Sequence, residues 1–111
     1  MTLIKLLAAK IFARIIHFQN QKWISEPVKS QQKVFQQLIH QAQNTSFGKD
    51  HHFESIKNHH DFVLKVPVKD YEGLKPYVDR IVAGEADVLW PNKPLYFAKT
   101  SGTTSGAKYI P

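Results

Sequence analysis

The residues that are best suited to chemistry, by their type and their spacing, form a run of glycines and hydroxyl side chains near the end of the chain. The run reads Thr100, Ser101, Gly102, Thr103, Thr104, Ser105, Gly106, Ala107 and Lys108. Glycines let a backbone approach a ligand closely, and amides and hydroxyls donate hydrogen bonds to phosphate oxygens. Lys108 adds a cation that neutralises charge developing on a phosphate. The run predicts a polyphosphate-binding loop, and it supplies no base or nucleophile with a triad partner.

A Walker A phosphate loop is the obvious alternative, and the spacing of this run does not match it. That motif needs a glycine directly before the lysine and a Ser or Thr directly after it. Counting from Gly102, those two positions hold Ala107 and Tyr109. A P-loop NTPase is therefore a poor fit. A flexible, serine-rich terminus stays open as the alternative that composition alone allows.

Two helices are predicted in the first half of the chain. The first is an amphipathic helix expected to pack on a core through Ile4, Leu7, Ile11, Ile15 and Phe18. Ser25-Glu26-Pro27 is a helix start signal, because proline is tolerated in a first turn. Apolar residues then recur at helical spacing, so the second helix should run to about Gln43.

The second half of the chain is predicted to contain capped helices and one strand. Asn58 and Asp70 are expected N-caps, and Gly84 is the expected stop of the helix that Asp70 begins. Leu95-Tyr96-Phe97-Ala98 is an aromatic and apolar run that predicts one buried strand leading directly into the loop.

The net charge of the chain is +6, from 15 Lys and Arg against 9 Asp and Glu. Most of the excess lies in residues 1–50, which suits an anionic partner. An alternative function is therefore a small basic module that binds nucleic acid or a membrane surface, with an affinity that falls steeply with salt. No RNP, zinc-finger or basic-zipper pattern accompanies the charges, so a solvated surface and no nucleic-acid partner are the favoured interpretation.

Cysteine is absent, which excludes disulfides, thiolate metal sites and a cysteine nucleophile. Lys5, Lys10 and Arg14 interrupt the apolar N-terminal run, so no uncharged stretch is long enough to span a bilayer. We expect a cytoplasmic protein without a membrane span. A first helix that lies on a membrane surface is the less favoured alternative.

Other polar and aromatic clusters are given structural interpretations. The two histidine pairs, His51-His52 and His59-His60, are expected in exposed loops because no zinc-type ligand spacing joins them. No metal site and no catalytic residue is assigned. The large aromatic side chains are expected in the core: Trp23, Trp90, Tyr96 and Phe97.

At its loop the chain resembles the first ATP-binding motif of the adenylate-forming superfamily. Across nearly its whole length it is similar to the auxin-responsive Gretchen Hagen family of acyl-acid-amido synthetases, in its bacterial form. The matching segments, in order, are Thr45-Ser46-Phe47-Gly48-Lys49, Val66-Pro67-Val68, Asp70-Tyr71-Glu72, Leu74-Lys75-Pro76-Tyr77, Gly84-Glu85, Val88-Leu89-Trp90-Pro91 and Lys108-Tyr109-Ile110-Pro111.

The resemblance implies a ligase that uses ATP and Mg²⁺ to activate a carboxylic acid as an acyl-adenylate and then transfers it to an amine or amino acid. It implies that Ser101, Gly102, Thr103, Thr104 and Lys108 wrap the β- and γ-phosphates, while Ser105, Gly106 and Ala107 shape the loop. Thr100, Ser105 and Gly106 are also assigned to the nucleotide-binding set. In many members the lysine falls one residue later, and the wider superfamily has proline before it and glycine after it.

The implied parent fold is the large α/β domain of an adenylate-forming enzyme. Residues 1–111 are expected to be its N-terminal part, mostly helical with one or two short strands, ending just after the phosphate loop. The implied adenine, ribose and acid sites would lie in the remainder of the chain beyond Pro111. This portion alone is therefore expected to be inactive.

Overall fold

A computed structural model of the chain describes residues 3–102 and 106–111, and these residues are mostly helical. The helices are α1 (Leu3–Ser25), α2 (Pro27–Ala42), α3 (Ser46–Asp50), α4 (His59–Lys65) and α5 (Tyr71–Val82), with a 3-10 turn at Phe53–Ser55. Two short strands follow, β1 (Ala98–Lys99) and β2 (Tyr109–Ile110). The prediction of a mainly helical portion with one or two short strands is confirmed.

The chain divides into two compact units whose boundary lies within α2, between Val34 and Phe35. The first unit contains α1 and the start of α2. The predicted first helix is present, and none of its described residues is buried, so its packing on a core stays a prediction.

The core of the second unit forms between α2 and the segment that follows α3. Its buried members are Ile39, Ala42, Phe53 and Ile56, and the partly buried Phe35, Phe47, Phe62 and Val66 pack against them. Phe35, Ile39 and Ala42 of the apolar stripe of the second helix therefore face this core, whereas its other members, Val34 and Leu38, are 52% and 48% exposed. Rings in this cluster meet edge to face, as Phe35 and Phe62 do at 5.8 Å between centroids.

The predicted helix ends are confirmed by their hydrogen bonds. The side chain of Asn58 accepts from the backbone N–H of Asp61 at 3.0 Å, and that of Asp70 accepts from the N–H of Gly73 at 2.9 Å. Gly84, the second residue after α5, has a φ of +94°, a conformation that favours glycine. Local capping chemistry thus sets the start of α4 and both ends of α5.

The prediction of a strand at Leu95 to Ala98 is wrong in position, and these residues are not covered by the described part of the chain. The strand begins at Ala98, and Leu95 and Tyr96 are 89% and 85% exposed. Only two residues of β2 pair with β1, so the ladder does not extend back to Leu95. Trp23 and Trp90, also predicted to be core residues, are 65% and 47% exposed.

Candidate functional site

The predicted phosphate loop connects the two strands of an antiparallel hairpin. Ala98 lies opposite Ile110, and Lys99 lies opposite Tyr109. Beyond these pairs, the backbone N–H of Thr100 donates to the carbonyl of Lys108 at 3.0 Å. The N–H of Lys108 donates in return to the hydroxyl oxygen of Thr100 at 3.1 Å. Both ends of the loop are therefore tied together by its own residues.

The two glycines of the loop occupy positions that disfavour other residues for different reasons. A Cβ atom on Gly102 would lie 2.3 Å from the carbonyl carbon of Gly106 and 2.6 Å from the nitrogen of Ala107. Gly106 has a φ of +81°, which L-residues rarely adopt, with open space around its Cα. Gly102 thus allows the two ends of the loop to approach closely, and Gly106 adopts a left-handed backbone. Close approach of these glycines to a ligand stays a prediction.

The described residues of the loop are mostly exposed. Thr100, Ser101, Gly102 and Gly106 are open to solvent, and Lys108 is half-buried. The predicted binding residues Thr103, Thr104 and Ser105 lie outside the described part of the chain. After the loop the chain continues as a strand, whereas a Walker A loop opens a helix, which is a further departure from that motif.

Tyr71, at the start of α5, contacts the hairpin, and sequence reasoning did not assign it to the site. Its hydroxyl accepts from the N–H of Tyr109 at 3.1 Å and lies 3.3 Å from the carbonyl oxygen of Tyr109, to which it donates. The ammonium nitrogen of Lys108 lies 5.2 Å from the centroid of the Tyr71 ring. The one sequence feature that could have pointed to Tyr71 is its place in the Asp70-Tyr71-Glu72 signature. Helix capping accounts for Asp70 in that signature and does not account for Tyr71.

Another group of signature segments meets away from the hairpin strands, at the N-terminus of α3. The buried hydroxyl of Thr45 donates to the carbonyl of Ala42 at 2.7 Å and accepts from the N–H of Gly48 at 3.0 Å. The N–H groups of Ser46 and Phe47 donate to the carbonyls of Asp87 and Val88, at 2.8 and 2.9 Å. These contacts join the end of α2 to the segment after α5, so the signatures here are structural.

Arg80, a charged residue of α5, pairs with neighbouring side chains. Arg80 donates to both carboxylate oxygens of Glu85, at 2.7 and 2.5 Å, and to the Ser46 hydroxyl at 2.8 Å. These hydrogen bonds lower the pKa of Glu85 and raise that of Arg80. The pKa of Tyr77 is raised mainly by burial and secondly by the hydrogen bond that its hydroxyl donates to Asp50.

The histidines do not all lie in exposed loops as predicted. His51 is 7% exposed, its ring stacks on Phe47 at 4.0 Å, and its Nδ1 lies 2.8 Å from the Phe47 carbonyl oxygen. His59 and His60 lie in α4. Within residues 3–102 and 106–111, no three His, Asp or Glu side chains are grouped so as to hold a metal ion. None of the helices in the same part of the chain combines the length and apolar character needed to cross a bilayer.

Comparison with known proteins gives one consistent result. Residues 17–111 match the model of the GH3 family N-terminal domain. The chain is 31% identical over 85 residues to the indole-3-acetic acid-amido synthetase GH3.2 of Arabidopsis thaliana, covering 76% of this chain and 16% of that relative. It is 34% identical over 79 residues to GH3.17 of the same plant, an indole-3-acetic acid-amido synthetase. That match covers 70% of this chain and 13% of the relative.

A shorter match links the chain to a relative with a different acid in its name. The 4-substituted benzoates-glutamate ligase GH3.12 of Arabidopsis thaliana is 44% identical over 48 residues, which cover 42% of this chain and 8% of the relative. The chain thus spans about a sixth or less of the length of these relatives. No solved structure matches it.

Proposed function

This chain belongs to the GH3 family, and on that premise we propose that it is the N-terminal portion of an ATP-dependent acid-amido ligase of the adenylate-forming kind. The named relatives are amido synthetases and a benzoate-glutamate ligase, which supports a carboxylic acid and an amino acid as the two partners. The activity is proposed for the whole protein, because the chain spans a small part of its relatives. A bacterial source and a cytoplasmic location are proposed on the sequence resemblance and charge pattern alone.

The observation that carries the proposal is the closed hairpin around the glycine and hydroxyl run. A polyphosphate is bound by backbone amides and hydroxyls presented on a loop whose Cα atoms do not obstruct it. The Thr100 and Lys108 hydrogen bonds hold the ends of the loop, and Gly102 lies against the backbone of Gly106 without a side chain between them. Ser101, Gly102 and Gly106, which lie beside these contacts, are exposed and therefore accessible to a ligand.

The residues of the loop fit a nucleotide polyphosphate and its magnesium ion. Ser101, Gly102, Thr103 and Thr104 are the proposed donors to the β- and γ-phosphates, and Lys108 is the proposed cation. Magnesium prefers oxygen ligands and is bound in such sites largely by the phosphates themselves, where it neutralises their charge. Thr100 keeps its hydroxyl hydrogen for a phosphate, because its oxygen is the atom that accepts from Lys108.

In the proposed reaction a carboxylate oxygen of the acid bonds to the α-phosphorus of ATP and pyrophosphate leaves. The amine nitrogen then bonds to the acyl carbon, AMP leaves, and the amine loses a proton. The loop contributes by holding the β- and γ-phosphates, which orients the α-phosphorus and stabilises the leaving pyrophosphate. Residues 1–111 alone are proposed to be inactive, because the acid pocket and the adenine site are assigned to later segments.

The test is acid-dependent exchange of labelled pyrophosphate into ATP by the protein encoded by the full reading frame, with a broad panel of acids. Exchange with at least one acid supports the proposal. Gly102→Val and Thr103→Ala should each lower it about 100-fold, the usual effect of removing one preorganised contact to developing charge. No exchange with any acid, or full activity in both variants, would refute the assignment.

A further inference from the structure

We propose that Tyr71 is a positioning residue that fixes the outer edge of the phosphate hairpin and holds Lys108 beside the loop. The inference rests on the proposed function, because it assigns Tyr71 to the same nucleotide site. It concerns a side chain of α5 that lies 38 residues before its partner Tyr109. Tyr71 is not proposed to touch the reacting atoms.

The strand register explains why Tyr109 needs a partner outside the hairpin. In an antiparallel ladder, pairs that exchange backbone hydrogen bonds alternate with pairs that do not. Thr100 bonds to Lys108 through its N–H, so the preceding pair, Lys99 and Tyr109, is of the second kind. The N–H and C=O of Tyr109 therefore point away from β1, toward the free edge of the sheet.

The Tyr71 hydroxyl occupies that free edge as a third strand would. It accepts from the N–H and donates to the C=O of the same residue, at 3.1 and 3.3 Å. One hydroxyl thus satisfies both main-chain groups of Tyr109, which would otherwise require water or another backbone. Since β2 has only two residues, this contact doubles as an anchor that ties the hairpin to α5.

The ring of Tyr71 acts on the residue next to Tyr109. Lys108 has its ammonium nitrogen 5.2 Å from the ring centroid, within the range of a cation–π contact. Its backbone N–H is meanwhile bonded to Thr100, so both ends of the residue are restrained. Restraining a long side chain before a ligand binds removes part of the entropy cost of binding.

The first test is amide hydrogen exchange at Tyr109 in the intact protein without nucleotide. Tyr71→Phe keeps the ring and removes the hydroxyl, and it should speed exchange of the Tyr109 amide about tenfold, the effect of losing a hydrogen bond at an exposed edge. Tyr96→Phe removes the same hydroxyl from a side chain that is 85% exposed, and it should leave the amide unchanged. Equal exchange rates in the wild type and Tyr71→Phe would overturn the inference.

The second test separates ATP binding from chemistry in the pyrophosphate exchange assay. Tyr71→Phe should raise the KM for ATP about tenfold with kcat within about twofold, because two hydrogen bonds that position the loop are lost. Tyr71→Leu should raise it by a further two- to fivefold, about the contribution of an exposed cation–π contact. A general folding defect would instead lower kcat with the amount of active enzyme and leave KM unchanged.

The outcomes distinguish this inference from the function on which it depends. An active wild type with the same ATP KM in Tyr71→Phe as in Tyr96→Phe would overturn the role of Tyr71 and leave the ligase intact. An inactive wild type would refute the ligase, and the role of Tyr71 in nucleotide binding with it. A raised KM together with faster exchange at Tyr109 would establish the positioning role.

Discussion

Substitution of Gly102 by alanine tests the geometry of the phosphate loop most directly. The added Cβ would lie 2.3 Å from the carbonyl carbon of Gly106, and an ordinary contact needs at least 3.4 Å, so the two backbones must separate by about 1.1 Å. The atoms that the Cβ would meet belong to the backbone of Gly106 and Ala107, so no flexible side chain can move aside. A misplacement of about 1 Å in a positioned site costs on the order of 100-fold in rate.

We therefore expect Gly102→Ala to lower kcat/KM for ATP about 100-fold in acid-dependent pyrophosphate exchange, equal to about 2.7 kcal/mol of transition-state stabilisation. Two alanine variants serve as matched controls. Gly106→Ala meets no atom within 4 Å and carries only the strain of a φ of +81°, so its loss should be about tenfold.

Gly84→Ala introduces the same kind of strain, at a φ of +94°, at the end of α5 opposite Tyr71. It should lower stability and leave the kinetic constants of the folded protein unchanged. If Gly102→Ala kept kcat/KM within about twofold of the wild type, the close approach of the two backbones would not matter for nucleotide binding. The geometric argument for the loop would then be wrong.

The remaining predictions concern stability. Gly48→Ala places a Cβ 2.1 Å from the carbonyl oxygen of Ala42 and should lower the free energy of unfolding by about 3 kcal/mol, the upper range for overpacking, as measured by urea titration. Gly73→Ala is the matched control, because the nearest neighbours of its added Cβ are side-chain atoms. Equal losses of stability in the two variants would contradict the argument. The hydrogen bonds from Arg80 lower the pKa of Glu85 in the folded state, so their stabilisation is complete above the pKa of the unfolded chain and is lost as pH falls through the folded value. Thermal unfolding of Glu85→Gln should therefore show a lower midpoint than the wild type at pH 7, and a smaller decrease on acidification; parallel pH profiles would exclude this role of the pair.

Local chemistry made several features of this protein predictable from sequence. Asn58 and Asp70 cap helices through side-chain bonds to residues three positions away, and Gly84 ends a helix through its own backbone conformation. The roles of Gly102 and Gly106 also follow from residue type, because a missing Cβ allows the same conformations in any fold. The family resemblance was likewise carried by short ordered segments, which the match to the GH3 N-terminal domain bears out.

Burial was predicted less well, because it depends on what else a chain brings to the same place. Trp90 and Tyr96 are apolar enough for a core, and the described residues leave both exposed. His51 belongs to a type that usually lies at the surface, and stacking on Phe47 buries it. Residue type indicates how unfavourable it is to expose a side chain to water. It does not indicate whether another part of the chain lies close enough to cover that side chain.

Only the tertiary structure brought distant segments together at the two clusters that matter most. The bonds from Ser46 and Phe47 reach the carbonyls of Asp87 and Val88, and the hydroxyl of Tyr71 reaches Tyr109. Periodicity and capping describe a helix by itself and give no information on which strand edge faces its first turn. The sequence by itself predicted a glycine-containing loop suited to phosphate. The packing of α5 against the hairpin decided which side chain contacts the edge of β2, because that edge can be identified only once the strand register is known.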